Sequence, residues 1–356
     1  MDTRIETAER GPELGLLADP TASLSPLDLT GFEPRQLRGF LESMLRIRLV
    51  EEEIGQLVER SLARAPCHLG IGQEAIAVGV SHSLTPADRV FGAHRSHPHY
   101  LALGGSTYKL LAEVLGKADG ASRGMGGSMH LFGGDVGFMG SVPLVGATIP
   151  LAVGAGLAAR MDGHGAIGVT YFGDGATEEG VFHESMNLAA ALSLPVLFVC
   201  ENNLFSSHLH ITQRQPSDRI ARYGEAHRMT SVTVDGNDVA EVARITAALL
   251  KDVRAGKGPA LLEAITYRHR GHVGPNADID VGVQRSVEDL NLWKRRDPIE
   301  RLVGATVAAG VISRADYTTL EASVRDAVRA DSILAQAAPY PAMNALLDMV
   351  YAAGSR

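Results

Sequence analysis

Cysteine is scarce in this chain of 356 residues: there are two, Cys67 and Cys200, each in an apolar context. Two such thiols neither frame a disulfide-stapled fold nor supply a zinc site, and they read as reduced core residues of a cytoplasmic protein. Aromatic residues make up only 5%, with a single Trp, whereas Gly is plentiful at 39. The core must therefore pack through small and aliphatic side chains, as α/β proteins do. An excess of basic charge is also missing. Lys and Arg number 33 against 41 Asp and Glu, a net charge of −8, which argues against a nucleic-acid partner. Residues 1–30 hold Asp, Glu, Pro and Ser and no apolar leader segment. The longest uncharged run, Val136 to Ala159, is long enough to test as a membrane span. Pro143, Pro150 and several glycines interrupt it, so it reads as a buried loop and helix, and no membrane partner is expected.

What is present centres on Ile167 to Phe205. Ile167 to Phe172 are apolar, β-branched or aromatic apart from one Gly, the pattern of a buried strand. Gly173-Asp174-Gly175 ends it, and two glycines permit a sharp turn with room for a ligand. A helix is predicted next, with Thr177, Glu178 and Glu179 near its start. Pro195 stops that helix, and Val196 to Cys200 form a second strand running into Glu201-Asn202-Asn203. Strand, helix, strand implies parallel strands and a right-handed crossover. Asp174 and Asn203 then sit at the carboxyl ends of two strands, where open α/β sheets bind ligands.

A carboxylate and an amide oxygen are hard ligands that suit Mg²⁺, which keeps part of its shell for phosphate and water. The amides after Gly175 suit an anion. GDG by itself is equally a capped turn. Paired with NN at the next strand end, it points to a metal-bridged diphosphate.

GDG, a helix-length spacer and NN together resemble the thiamine-diphosphate motif. The wider text resembles the alpha subunit of the 2-oxo acid dehydrogenases, the decarboxylating component of the pyruvate, branched-chain and acetoin complexes. The likeness runs in order from about Arg35 to Pro298. It takes in CHLGIGQEA (Cys67 to Ala75), HRSH (His94 to His97), GMGGSMH (Gly124 to His130), VGATIP (Val145 to Pro150), GDGATEEG, CENN and TYRHRGH (Thr266 to His272).

The resemblance implies thiamine diphosphate and Mg²⁺ as cofactors. It places the metal on Asp174, Asn203 and Phe205. It gives the organic cofactor His94, Arg95, Pro143, Val145, Asp174, Gly175, Ala176, Asn203 and His272. Arg95 offers a planar fork to a diphosphate oxygen. His94 departs from the family's usual tyrosine and could still donate to phosphate. Pro143 stands where Gly or Ser is common, and only its carbonyl is used, with the Val145 amide, to hold the aminopyrimidine ring. His272 implies a catalytic role in acyl transfer, and His97 matches a histidine near the cofactor that we assign to catalysis as well. Val273 replaces the serine that regulated members phosphorylate, so that switch is expected to be absent. A zinc site on the closely spaced His94, His97 and His99 lacks a Cys or acid to complete it.

The implied fold is α/β: a thiamine-diphosphate-binding, mostly parallel sheet with helices on both faces, plus helical terminal extensions. Residues 1–33 read as a flexible or loosely docked extension, 34–285 as the diphosphate-binding domain, and 286–356 as a helical C-terminal region. Helices are predicted from Pro34 to Arg64, from Gly72-Gln73-Glu74 onward, over Thr107 to Gly116 and over Val239 to Val253. Strands are predicted at Val90 to Ala93, Ser231 to Val234 and Pro259 to Thr266. Ser206 to Gly224 and Tyr267 to Arg285 are expected to be loops, the second of them mobile at the active site. Pro150 suits a first helical turn, and Gly154 and Ala158 offer a small face for packing between subunits.

The function implied is oxidative decarboxylation of a 2-oxo acid with acyl transfer to the lipoyl group of an acyltransferase. The implied assembly is a two-alpha, two-beta heterotetramer with a beta subunit. One rival is transketolase-like carboligation with another acceptor, and a second is a non-catalytic scaffold. The glutamate that activates the aminopyrimidine comes, in this resemblance, from the beta subunit. Glu74 is not that residue.

Overall fold

Three inner strands of the central sheet, Gly168–Gly173, Val196–Asn202 and Ala260–Ile265, are largely apolar, and nearly every residue on them is buried. The computed structural model describes residues 12–22, 24–276 and 285–347. In chain order the elements are α1 (Pro34–Glu59), α2 (Glu74–Ser81), β1 (Arg89–Gly92), α3 (His97–Ala102), α4 (Thr107–Val114), β2 (Phe138–Ser141), α5 (Thr148–Asp162), β3 (Gly168–Gly173), α6 (Gly180–Ala191) and β4 (Val196–Asn202). The hairpin β5 (Phe205–Ser206) and β6 (Leu209–His210) follows, then α7 (Ala221–Ala226), β7 (Thr230–Asp235), α8 (Val239–Arg254) and β8 (Ala260–Ile265). The chain continues with α9 (Val287–Lys294), α10 (Pro298–Ala308) and α11 (Arg314–Ala337).

The main sheet has the order β2-β1-β3-β4-β8-β7 with every pairing parallel. Alternate residues along the central strands feed two cores. Val169, Tyr171, Leu197, Val199 and Leu262 join the side covered by α1, α2 and α8. Phe172, Phe198, Cys200 and Leu261 join the side covered by α5 and α6, where Trp293 also packs. Two glycines bring α5 down onto the sheet. A Cβ on Gly156 would lie 2.5 Å from Val196 Cγ2, and one on Gly168 would lie 2.2 Å from the Ala152 carbonyl oxygen. Gly154 and Ala158 face outward, beside exposed Leu151 and Met161.

Helix α1 opens with Pro34 in its first turn and a reciprocal capping box between Glu33 and Gln36. It ends at Glu59, short of the expected Arg64, because Ser61 adopts a left-handed φ of 57°. The Leu62 amide then bonds back to the Leu57 carbonyl, which closes the helix end. The predicted helix after GDG also starts late. Asp174–Glu178 forms a tight 3-10 turn, fixed by the Thr177 hydroxyl donating to the Asp174 carbonyl at 2.7 Å, and the α-helix begins at Gly180. The stretch expected to be a plain loop, Ser206 to Gly224, contains the end of β5, β6, a 3-10 turn (Ile211–Gln213) and part of α7.

The N-terminal extension is not loosely docked over its described part. Asp218 accepts from the Glu13 amide at 2.6 Å, and Arg296 donates to the carbonyls of Leu16, Leu17, Asp19 and Ala22. Helices α10 and α11 contribute Leu302, Val303, Val324 and Val328 to the same core as α1. Of the loop Tyr267 to Arg285, residues 277–284 lie outside the described residues. The portion through Asn276 is tied down rather than loose: the His269 amide bonds to the Ile71 carbonyl at 2.9 Å and the Gly274 amide to the Cys67 carbonyl at 2.8 Å. No helix among the described residues is long and apolar enough to cross a membrane.

Candidate active site

β3 and β4 are neighbours in register, with Gly173 opposite Glu201, so their carboxyl ends deliver Asp174 and Asn203 side by side. Both side chains are buried, Asp174 to 1% exposure. They line a cleft of about 960 Å³, solvent at its mouth included. His94, Arg95, Pro143, Val145, Gly175, Ala176, Phe205 and His272 line it too. Residues as far apart as His94 and His272 therefore converge because a parallel sheet brings its strand ends to one edge.

Asp174 and Asn203 offer oxygens of the kind a hard cation takes. Asp174 Oδ1 is buried and meets no hydrogen-bond partner among the described residues. Leaving a buried carboxylate oxygen unpaired is costly unless something else satisfies it. Asn203 donates from Nδ2 to Gln73 Oε1 at 3.2 Å, while its Oδ1 accepts from the Phe205 amide at 3.3 Å. Phe205 has no donor atom on its side chain, so it can offer a metal only its carbonyl. Its ring packs edge-on to Tyr267. These hard oxygens fit Mg²⁺. Burial raises the Asp174 carboxyl above the usual carboxylate range, and Arg214 opposes that rise.

The cleft also suits an anion. Arg95 and Arg268 are both buried at the cleft. Arg95 is oriented by the Leu69 carbonyl at 2.5 Å and the His272 carbonyl at 3.3 Å. Gly175 brings the 3-10 turn close to the β5 hairpin: a Cβ there would lie 2.4 Å from Ser206 Oγ. Only glycine allows that approach, and it leaves the backbone of the turn bare toward the cleft.

Three imidazoles, His68, His94 and His272, meet here with ring centroids 4.6 to 5.5 Å apart. Burial, and then the positive Arg95, pushes His68 down to about 2 and His94 down to about 3. Both rings are neutral at pH 7, so the fixed positive charge of the cleft comes from its guanidinium groups. The ligand nitrogens of the three rings lie within 4.8 Å of one another. His97 and His99 take no part in this group.

His97 does not reach the cleft, and the catalytic role expected for it does not follow. Its ring is fully buried, with Nδ1 2.9 Å from Glu51 and Nε2 2.8 Å from Ser128 Oγ. It ties α3 to α1 and to the Gly-rich loop. His99 stacks on Tyr171 at 3.8 Å and lies 3.2 Å from Glu201. Glu201, Gln73, Ser207, Arg268 and, behind Asp174, Arg214 are site residues that the sequence reading missed. Glu201 and Gln73 did lie inside recognised motifs. Arg214 carried no signal, since it sits in a polar stretch.

Residues 42–344 match the dehydrogenase E1 component family. The chain belongs to that family, the thiamine-diphosphate-dependent enzymes that decarboxylate 2-oxo acids. It is 38% identical to the pyruvate dehydrogenase E1 component subunit alpha of Zymomonas mobilis, over 86% of each chain. It is 35% identical to the subunit of the same description from Rhizobium meliloti, over 85% of this chain and 86% of the relative. The alpha subunit of an acetoin:2,6-dichlorophenolindophenol oxidoreductase from Bacillus subtilis is 34% identical, over 87% and 92%. The cleft of this family member thus combines carboxylate and amide oxygens, guanidinium and imidazole groups, and the apolar Pro143 and Val145.

Proposed function

We propose that this chain is the alpha subunit of an E1 component, that it binds Mg²⁺ and thiamine diphosphate in this cleft, and that it works with a beta subunit in a two-alpha, two-beta assembly. The observation that carries the reading is the Asp174 Oδ1 that is buried without a partner among the described residues, in a cleft also lined by Asn203, Arg95 and Arg268. Asp174, Asn203 and the Phe205 carbonyl would hold the metal. Arg95, His94, His272 and the backbone at Gly175 and Ala176 would hold the diphosphate. The Pro143 carbonyl and Val145 amide would hold the aminopyrimidine, with the Val145 side chain as the apolar support beneath the cofactor.

Bound thiamine diphosphate supplies the electron sink that accepts the electron pair left when a 2-oxo acid loses CO₂. The chain's own residues orient and exclude. The buried guanidinium groups fix the anionic end, and neutral His68 and His94 donate or accept hydrogen bonds without adding charge. His272, within 3.4 Å of Ser207 Oγ, is placed to move a proton during acyl transfer. In this reading the acceptor is the lipoyl group of an acyltransferase. Two buried free thiols suit a reducing compartment and support the reading of a cytoplasmic enzyme.

Exposed apolar residues support the partner. Leu144, Val145 at the cleft, and Leu151 and Met161 on α5 are 49 to 78% exposed, apolar side chains that a second chain would cover. The test is co-expression with the beta subunit, followed by a screen of 2-oxo acids and acetoin with a lipoyl domain as acceptor. Turnover of a 2-oxo acid with lipoyl acylation supports the reading. Turnover of acetoin alone would move the substrate assignment toward the Bacillus relative.

A further inference from the structure

Asp174 keeps its two oxygens for different purposes. Oδ1 is unpartnered among the described residues, while Oδ2 is held by Arg214 Nη2. The other arm of the same guanidinium, Nη1, pairs with Glu178, and Nε donates to the Leu209 carbonyl at 3.0 Å. All three nitrogens of Arg214 are thus committed, and its side chain is only 6% exposed. The adjacent Gln215 binds the same turn without touching the carboxylate of Asp174: its Nε2 lies 3.0 Å from Thr177 Oγ1 and 3.1 Å from Glu178 Oε1.

We propose that Arg214 is the positioning residue of the metal centre and that it sets which divalent cation the centre accepts. The inference rests on the reading of Asp174 as a Mg²⁺ ligand. With Oδ2 taken by a rigid planar donor, Asp174 can offer a cation one oxygen only. A single carboxylate oxygen fits the small octahedral shell of Mg²⁺. Ca²⁺ takes more ligands at longer range and readily draws both oxygens of a carboxylate. Arg214 also fixes the torsion of Asp174, as outer partners of metal ligands generally do.

Simple charge counting gives the opposite expectation for a deletion. Arg214 stands between two carboxylates, Asp174 and Glu178, so its loss makes the site more negative and would tighten any cation. Positioning requires that Mg²⁺ bind more weakly instead. The two accounts therefore differ in sign.

The experiment titrates Mg²⁺, and separately Ca²⁺, by calorimetry into the full-length chain co-expressed with its beta subunit, at saturating thiamine diphosphate. Mn²⁺ paramagnetic resonance provides a second readout that is independent of turnover. Arg214→Ala is expected to lose ~10–100-fold in Mg²⁺ affinity and to lose less for Ca²⁺, so the preference moves toward Ca²⁺. Gln215→Ala, which loosens the same turn, should leave the Mg²⁺ to Ca²⁺ ratio unchanged. Arg214→Lys keeps the charge but cannot fork between Asp174 and Glu178. It should shift the ratio in the same direction as the alanine variant, and it serves alone if that variant does not fold. Unchanged or tighter Mg²⁺ binding in the Arg214 variants, or an equal shift in Gln215→Ala, overturns the proposal. Absence of Mg²⁺ binding in the unmodified protein overturns the metal assignment itself.

Discussion

Arg48 grips both carboxylate oxygens of Glu74, Nε to Oε1 at 2.5 Å and Nη2 to Oε2 at 3.0 Å, and the same Nη2 lies 2.9 Å from Asp297. One guanidinium therefore joins α1, the start of α2 and the cap of α10. Glu74 is fully buried and also accepts from the Gly72 amide at 3.1 Å. Its carboxylate is spent on structure, in keeping with the expectation that it is not the activating glutamate. Removing one partner of a buried pair leaves the other uncompensated and costs ~3–5 kcal/mol. Glu74→Ala should lower stability by that order in urea denaturation. A loss under 1 kcal/mol would show that Arg48 finds compensation at Asp297.

Asp174→Ala should abolish Mg²⁺-dependent binding of thiamine diphosphate, since it removes the only charged ligand of the proposed centre. Calorimetry on the variant is expected to show no cofactor heat at concentrations that saturate the unmodified chain. Unchanged affinity would refute the metal assignment.

His272→Ala should damage acyl transfer more than cofactor binding. The imidazole lies by Ser207 and the His68 and His94 rings and is not among the proposed metal ligands. Lipoyl acylation and decarboxylation are measured separately. If both stay at the original rates, His272 has no such role.

The neutral histidines make an acid-sensitivity argument with a definite sign. Their folded values, about 2 for His68 and about 3 for His94, lie below the ordinary value of about 6.5 for an unfolded chain. The unfolded state therefore takes up protons that the folded state refuses. Stability is intact above about pH 6.5 and falls as the pH drops below it, by at most ~1.4 kcal/mol per pH unit for each ring. Urea midpoints measured from pH 7 to 5 should fall, and His68→Asn should flatten the slope. An equal slope in the variant would place the sensitivity elsewhere.

How much of this was legible beforehand depends on the range of the contacts involved. Asp174 and Asn203 were readable because each ends a strand whose apolar pattern is local and unmistakable, and parallel neighbours must bring such ends together. The setting of His97 was not legible because its partners, Glu51 and Ser128, come from distant segments, and the likeness to a histidine near the cofactor says nothing of them. Arg214 was invisible for a related reason. Its stretch is polar and reads as solvated loop, and only the short β5–β6 hairpin turns it back onto Asp174. Glu113 likewise organises the Gly-rich loop by accepting from the amides of Ser122, Gly124, Gly126 and Gly127, which no periodicity reveals. The early end of α1 hung on a single left-handed residue, Ser61.

The last prediction concerns dependence on a partner. In the proposed chemistry a carboxylic acid must activate the aminopyrimidine ring of the cofactor. Among the described residues, the carboxylates that line the cleft are Asp174 and Glu201. The first is assigned to the metal, and the second lies 3.2 Å from His99 on the strand-end side of the site, next to Asn203 in sequence. Neither belongs to the segment of Pro143 and Val145 that would hold the ring. That segment is instead among the most exposed apolar parts of the surface, with Leu144 at 69% exposure. The missing acid is therefore expected to arrive on the chain that covers the segment. The isolated protein should bind cofactor weakly and fail to turn over 2-oxo acids with an artificial electron acceptor, while the co-expressed pair should do both. Leu144→Glu, outside the ligand set, should weaken assembly with the partner, measured by sedimentation. Sustained decarboxylation by the chain alone would overturn the shared-site reading and require an internal acid near Val145.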